Sequence, residues 1–370
     1  MGDVVCKAGL RCIRQPVVSN WEEAESHLLN MNPPLSHVNP VVFKILQGSG
    51  GEGTSRINSI AEAKHYFDLI HGSVNKYKEL NNKILIQEYL MGTEYSVDSV
   101  SRDGVHKVVD VMIEDFRPAN GIFDQYFGFK VQNTSDPKIR QIIEYAHKVL
   151  DATGLKNGAS NTEVKWIESE QQPCLVEVNA RWAGMNWHDG FAIEDACFGN
   201  NQIAAAFTAY LDEDGFNRMI AVPPMKQWGS VVSTINYQKG IVKAVPGLVA
   251  AMKYPAYYDS DMDCPSSNLV GRFLDKTNPD CIPVLIAFVS ENKSIVDADY
   301  ERVISSMEDR TFFEIEPTES ENLRLLAHRV RLNGWFYLPA VLGVSFAALF
   351  FMVMYSRQRD DAIDDYIAIH

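Results

Sequence analysis

The stretch from Gly158 to Gly184, GASNTEVKWIESEQQPCLVEVNARWAG, limits the fold more than any other part of the chain. Two runs with strand chemistry, Asn161 to Ile167 and Cys174 to Ala180, flank a short polar connection closed by Pro173, which is the pattern of a β-hairpin. Alternation along the second run sets Glu177, Asn179 and Arg181 on one face and Val176, Val178 and Ala180 on the other. Antiparallel pairing then brings Glu163 of the first run beside Glu177. Two carboxylates and an amide oxygen make a hard, oxygen-rich site of the kind Mg²⁺ takes, with Arg181 facing any anion the metal holds. A solvated strand face with a salt bridge uses the same residue types, and E-x-N-x-R alone does not separate the two.

Upstream, Lys7 to Ser36 reads as a short helix, an extended piece at Gln15 to Val18, and a helix capped by Ser19 or Asn20 and ended by Pro33 and Pro34. Pro40 to Leu46 is a β-branched strand carrying Lys44, and it runs into Gln47-Gly48-Ser49-Gly50-Gly51-Glu52-Gly53. Such a loop can turn its backbone N–H groups onto a phosphate, or it can be a hairpin tip; it matches neither G-x-x-x-x-G-K-[ST] nor G-x-G-x-x-G. Ser59 to Ser73 has helical spacing, with Ile60, Ala63, Phe67 and Ile70 on one side. Lys83 to Tyr89 is a strand, Met91-Gly92 a turn, and Thr93 to Ser101 a second strand, an order that makes Gln87 to Leu90 a hinge. Asp103-Gly104 folds Val105 to Ile113 back on that strand, and Asp136 to Thr153 is a helix stopped by Gly154. After the hairpin come a helix at Asn200 to Tyr210, strands at Gly229 to Tyr237, Gly240 to Val245 and Ile282 to Ser290, and a helix at Asp297 to Glu308.

The formal net charge of −14 and a pI near 5.1, with no basic run, exclude a nucleic-acid surface as the main partner. Six cysteines with no C-x-x-C pair suggest neither a zinc site nor a disulfide framework, so all six read as reduced thiols. The N-terminus lacks the apolar core of a secretory signal. Gly2 is followed at position six by Cys6 rather than Ser or Thr, against a myristoylation site.

From about Ala8 to Ile315 the chain resembles the ATP-grasp superfamily, and within it the amino-acid ligase and carnosine-synthase-like branch. The likeness rests on AGLRCIRQ, VVFKILQGSGGEG, ILIQEYLMGTEYSVDSV and the pair NTEVKW with LVEVNARWAG, in the family's order. It implies an α+β chain in which two α+β subdomains grip ATP, followed by a C-terminal α+β subdomain. On this reading 1–36 is a remnant of the linker to a front domain, 37–101 the small subdomain, 102–215 the large one with the metal site, and 216–316 the C-terminal subdomain. Lys44 then resembles the lysine on the α/β-phosphates, and Ser49, Gly50, Gly51 and Gly53 the closing loop. Gln87, Glu88, Tyr89 and Leu90 resemble the hinge whose backbone meets adenine, and Glu94 the carboxylate on the ribose. Glu163, Glu177 and Asn179 match the ligands of Mg²⁺ or Mn²⁺, and Arg181 the arginine on the transferred phosphate. Lys44 is followed by Ile45 where the family commonly has proline. The implied chemistry is ATP-dependent joining of a small carboxylate, such as an amino acid, to an amine. The alternative is a membrane-tethered Mg-ATP-binding module, or one subunit of a split enzyme, without turnover of its own. Apolar surface normally covered by a front domain implies a partner subunit or a homodimer.

Residues 335–355, WFYLPAVLGVSFAALFFMVMY, hold no charge over 21 positions, long enough to span a hydrocarbon core of about 30 Å. Trp335, Tyr337 and Tyr355 mark its ends, and Arg324, Arg329 and Arg331 against Arg357 and Arg359 bias the large domain toward the cytoplasm. The expectation is one transmembrane helix joined by a linker, 317–334, and followed by a polar tail, 356–370.

Overall fold

A computed structural model describes residues 1–48, 50–184, 190–263, 273–274 and 282–317. Helix α1 (Gly2–Lys7) opens the chain, and a four-stranded antiparallel sheet follows in the order β1-β4-β2-β3. It is built from β1 (Val17–Val18), β2 (Val41–Ile45), β3 (Thr54–Ile57) and β4 (Ile84–Glu88), with helices α2 (Trp21–Leu29) and α3 (Ile60–Ile70) against one face. Helix α2 begins with a reciprocal cap: Asn20 accepts from the Glu23 N–H while the Glu23 carboxylate accepts from the Ser19 N–H at 2.8 Å. Alternation along β2 buries Val41, Phe43 and Ile45 in the core with Phe67 and Ile86. Lys44 is thereby turned away from that core.

The second sheet has eight strands in the order β12-β14-β10-β7-β6-β5-β8-β9. Its strands are β5 (Thr93–Arg102), β6 (Val105–Ala119), β7 (Ile122–Val131), β8 (Gly158–Ile167), β9 (Gln172–Asn179), β10 (Trp228–Ser233), β12 (Tyr257–Asp263) and β14 (Ile282–Ser290). Helix α4 (Pro137–Thr153) covers one face. Asp136 caps it by accepting from the Lys138 and Ile139 N–H groups, and it ends at Gly154. Its stripe of Ile139, Ile142, Ile143, Ala146 and Val149 packs on Tyr95, Val97, Val111, Val164 and Trp166. Those sheet residues alternate with Glu94, Ser96 and Asp98 on β5 and with Asn161, Glu163 and Lys165 on β8, so the opposite face is polar.

Helices α5 (Ala192–Phe198), α6 (Gln202–Leu211) and α7 (Glu213–Arg218) follow the β8–β9 hairpin. A three-stranded sheet, β13-β11-β15, joins β11 (Gly240–Ala244), β13 (Phe273–Leu274) and β15 (Glu314–Pro317), while α9 (Lys293–Glu308) packs on β10 and β14 of the large sheet with α8 (Pro246–Ala251) against it.

The hydrogen-bonded units divide the chain differently from the expected boundaries. Within 1–36, β1 pairs with β4 and Val18, Ala24 and Leu28 lie in the small subdomain's core, whereas Val5 of α1 packs with α4 in the core of the large sheet, so this segment is divided between the two. Thr93 to Arg102 belongs to the large sheet rather than to the small subdomain. The C-terminal strands β10, β12 and β14 continue the large sheet, because β7 offers an edge on which β10 pairs at Ser230↔Lys130 and Val231↔Phe129. Strand β7 follows from a turn at Asn120-Gly121, both at positive φ of 53° and 85°, which carries β6 past Ile113 to Ala119.

The expectation of reduced thiols also fails at one pair. Cys6 and Cys12 are joined in a disulfide, their Cα atoms 5.2 Å apart, because α1 ends at Lys7 and the chain turns back along it. Cys174 and Cys197 are free and buried, while Cys264 and Cys281 lie outside the described residues. No helix among the described residues is long and apolar enough to cross a membrane, and the run 335–355 lies outside them.

Candidate active site

Hairpin pairing sets Glu163 directly opposite Glu177 and Asn161 opposite Asn179; an irregularity between Glu163 and Val164 places Leu175, not Val176, opposite Val164. The bulge lets Leu175 stay in the core under α4 while Glu177 and Asn179 turn to the polar face. Like charges directly opposite on paired strands repel. Two features relieve that repulsion. Lys44 reaches from the small subdomain to place its Nζ 3.1 Å from Glu177 Oε2, and Asn179 Nδ2 donates to Glu177 Oε1 at 3.1 Å and Glu163 Oε1 at 3.5 Å.

The two carboxylates consequently differ. Burial pushes Glu163 up, and the charges of Glu177, Glu94 and Glu114 add to it, to about 8. Burial also pushes Glu177 upward, but Lys44, Asn179 and Arg181 more than offset it and hold the carboxyl below its ordinary range. Glu114 on β6 is driven up to about 8 by burial and by Glu94. Glu94 is raised by burial despite Lys165, whose Nζ is 3.3 Å from Glu94 Oε2. Four carboxyls thus converge where a small subdomain strand meets the polar face of the large sheet, an arrangement that a divalent cation would relieve.

The donor set fits a hard cation: Glu163, Glu177 and Asn179 offer oxygens, since a half-turn of the Asn179 amide exchanges its nitrogen for its oxygen. Arg181 lies just past the end of β9, exposed, its Nη1 donating to Trp182 O at 2.7 Å. It joins the electrostatics of Glu177 and Asp98 without an ion pair to either.

The glycine loop is a hairpin connection between β2 and β3, with Gly50, Gly51 and Gly53 all at positive φ; Ser49 lies outside the described residues. A Cβ on Gly53 would stand 2.6 Å from Ile45 Cγ2, so only glycine lets the loop lie down on β2. Gln47 O accepts from Asn75 Nδ2 at 2.8 Å, and Glu52 Oε1 accepts from the Lys76 N–H at 2.8 Å, which anchors the loop's two shoulders.

At the hinge, β4 ends at Glu88, and Tyr89 and Leu90 connect it to the large sheet. The Glu88 N–H is taken by Arg14 O. Its carboxylate accepts from Arg11 at 2.6 Å and from Arg14 at 2.6 Å. Burial raises the Glu88 carboxyl, but these two guanidinium groups more than offset it and hold it low. Arg11 reaches on to Glu170 at 2.8 Å, strapping the hinge to the β8–β9 turn. Gln87 Nε2 donates to Gln15 Oε1 at 2.5 Å, and Leu90 packs with Ile167 and Cys174. The Tyr89 ring is flanked by Arg56 at 4.9 Å and Lys165 at 5.5 Å.

Sequence reasoning did not single out Glu114, Lys165, Asn161 or the Arg11 and Arg14 strap. Asn120-Gly121 was the available signal for Glu114: extending β6 to that turn carries Glu114 onto the sheet face of Glu94 and Glu163.

Residues 37–189 match the family model of the ATP-grasp domain. The fold agrees with the crystal structure of an L-amino acid ligase from Bacillus licheniformis at a TM-score of 0.66, over 86% of this chain and 71% of that one, at 14% identity. The chain has the ATP-grasp fold. Among curated proteins, the chain is 26% identical over 212 residues to dapdiamide A synthase of Enterobacter agglomerans, covering 57% of this chain and 47% of that protein. It is 25% identical over 201 residues to alanine–anticapsin ligase of Bacillus subtilis strain 168, covering 50% and 41%. The chain therefore spans less than half the length of either relative.

Proposed function

We propose that this ATP-grasp chain is, or forms part of, an ATP-dependent carboxylate–amine ligase acting on amino acids or similar small carboxylates. The observation that carries the reading is the meeting of Lys44 from the small subdomain with Glu177, Glu163 and Asn179 of the large one. The names of the relatives, a dapdiamide synthase, an alanine–anticapsin ligase and an L-amino acid ligase, support it.

Glu163, Glu177 and Asn179 would hold Mg²⁺ or Mn²⁺, which when bound neutralises phosphate oxygens and makes the γ-phosphorus more electrophilic. Lys44, displaced from Glu177 by the metal, is then free for the phosphates of ATP, and Arg181 stands on the same side for the transferred group. The hinge at Tyr89 and Leu90 would seat the adenine, and Glu94 the ribose. In the first step a carboxylate oxygen attacks the γ-phosphorus, the bond to the bridging oxygen breaks, and ADP leaves. In the second, the amine nitrogen attacks the acyl carbon, phosphate departs with the bonding pair, and the amine gives up its proton.

Incubation of the purified chain with ATP, Mg²⁺ and pools of amino acids tests the reading. The expected result is amino-acid-dependent ADP release that falls by two orders of magnitude or more in Arg181→Ala, the scale of losing one transition-state donor. ADP release indifferent to amino acids, or unchanged in the variant, would overturn it. Separately, the apolar run 335–355 is proposed as a membrane tether with the ATP-grasp domain on the cytoplasmic side.

A further inference from the structure

Deeper in the same polar face, on the far side of Asn161 from the nucleotide residues, lies a second acidic group. Asp98 on β5, Asp110 on β6 and Glu194 on α5 are each 0% exposed. One carboxylate oxygen of each lies within 4.8 Å of the others. Oxygens on opposite sides of a cation bound at 2.3–2.6 Å are up to about 5 Å apart, so this spacing suits a single ion.

The second observation is what these oxygens lack. Asp98 Oδ1 accepts from Asn161 Nδ2 at 2.9 Å, and Glu194 Oε2 accepts from the Gln202 N–H at 2.5 Å. Asp98 Oδ2, Glu194 Oε1 and both oxygens of Asp110 are buried with no hydrogen-bond partner. Asp110 in particular is fully buried, directly opposite Asp98 on the paired strand, and its contact is with the Glu194 carboxyl, which bonds it only through a shared proton, rather than with an N–H donor among the described residues. Asp299, by contrast, is buried but compensated, by Arg302 and the Ala256 N–H. An ionised carboxyl left without a partner in the interior is strongly destabilising, and three together more so.

We propose that Asp98, Asp110 and Glu194 bind one hard divalent cation, distinct from the metal that accompanies a nucleotide. The unpartnered oxygens supply the ligands, and the two hydrogen-bonded oxygens are held in place by Asn161 and Gln202. In the cation-free protein the same groups retain protons: burial pushes Asp98 up to about 7 and Glu194 up to about 8, and burial with the neighbouring Asp98 and Glu194 charges holds Asp110 well above the usual carboxylate range. Cation binding therefore releases protons and strengthens as pH rises. Asn161 also lies within reach of Asn179, 3.4 Å from Asn179 Nδ2 to Asn161 Oδ1, so the ion would brace the floor of the nucleotide metal site.

The test is Mn²⁺ binding to the full chain, freed of metal by chelation and held in detergent without nucleotide, followed by equilibrium dialysis. A Mn²⁺ site that persists in Glu177→Gln is expected, and in that background it should weaken at least tenfold on adding Asp110→Asn or Glu194→Gln. No bound Mn²⁺ in the unaltered chain, or binding lost in Glu177→Gln and kept in Asp110→Asn, would overturn the proposal. Where the cluster variants do not fold, the unfolding midpoint of Glu177→Gln protein serves: Mn²⁺ should raise it, and no rise means that protons alone settle the cluster. Neither arm depends on ligase activity.

Discussion

Replacing Glu163 by glutamine isolates the electrostatic strain of the metal-free site. In the folded chain this carboxyl titrates at about 8 against an ordinary value of 4.5. The folded state therefore binds its proton more tightly than the unfolded state does. The stability this contributes is fully present below pH 4.5 and is lost as pH rises through about 8. At 1.36 kcal/mol per pH unit, that interval sets a ceiling of about 5 kcal/mol. Removing Glu163 also relieves Glu177, Glu94 and Glu114, so about 2–4 kcal/mol is the expected difference between the two proteins' pH profiles. Glutamine keeps the volume and cannot ionise. Urea unfolding followed across this range, in the absence of divalent cations, should show the unaltered chain losing stability toward alkaline pH and the variant losing much less. Added Mg²⁺ should flatten the profile of the unaltered chain and flatten that of Glu163→Gln less, through the Asp98, Asp110 and Glu194 cluster alone. Parallel profiles for the two proteins would refute the claim that Glu163 is held protonated by burial and its neighbours.

Three further outcomes follow from other parts of the molecule. Lys44→Ala removes the ammonium in contact with Glu177 and should weaken ATP binding at least tenfold, about 1.4 kcal/mol or more, in a competition assay with a fluorescent nucleotide. Tyr145→Phe leaves Arg11 O without the hydroxyl donor at 2.5 Å and the Leu175 N–H without its acceptor at 2.8 Å. It should cost about 2–3 kcal/mol in denaturant unfolding, and a loss below about 0.5 kcal/mol would contradict those bonds. If residues 335–355 span a bilayer, the full chain should stay in the pellet on carbonate extraction, whereas recovery in the supernatant would exclude the tether.

Much of this fold was readable because its signals are local. The pairing of Glu163 with Glu177 follows from alternation on two strands joined by a short polar turn, and the alternation of β2 alone turns Lys44 from the core. Helix α4 announced itself by Asp136, Pro137 and Gly154 around a regular apolar stripe. What stayed hidden depends on partners distant in sequence. Val17 and Val18 read as an extended piece, but the edge of β4 that they pair with is out of sight in the sequence, and β10 reads as part of a separate subdomain until β7 is in place. The disulfide needs the chain to turn back along α1, which the spacing of Cys6 and Cys12 does not reveal. Arg11 and Glu170 are 159 positions apart, so no periodicity could announce their strap. The buried carboxyls Asp98, Asp110 and Glu194 likewise come from three separate elements, and in sequence each resembles an ordinary polar residue of its strand or helix.

The central claim is that the meeting of Lys44 with Glu163, Glu177 and Asn179 is a Mg-ATP site. Calorimetric titration of ATP into the chain, with and without Mg²⁺, in unaltered and Glu177→Ala protein, tests it most directly. The account predicts saturable, Mg²⁺-dependent binding of one ATP per chain, weakened by at least an order of magnitude in Glu177→Ala while the fold persists. Affinity for ATP that is the same in both proteins, or indifferent to Mg²⁺, would contradict it.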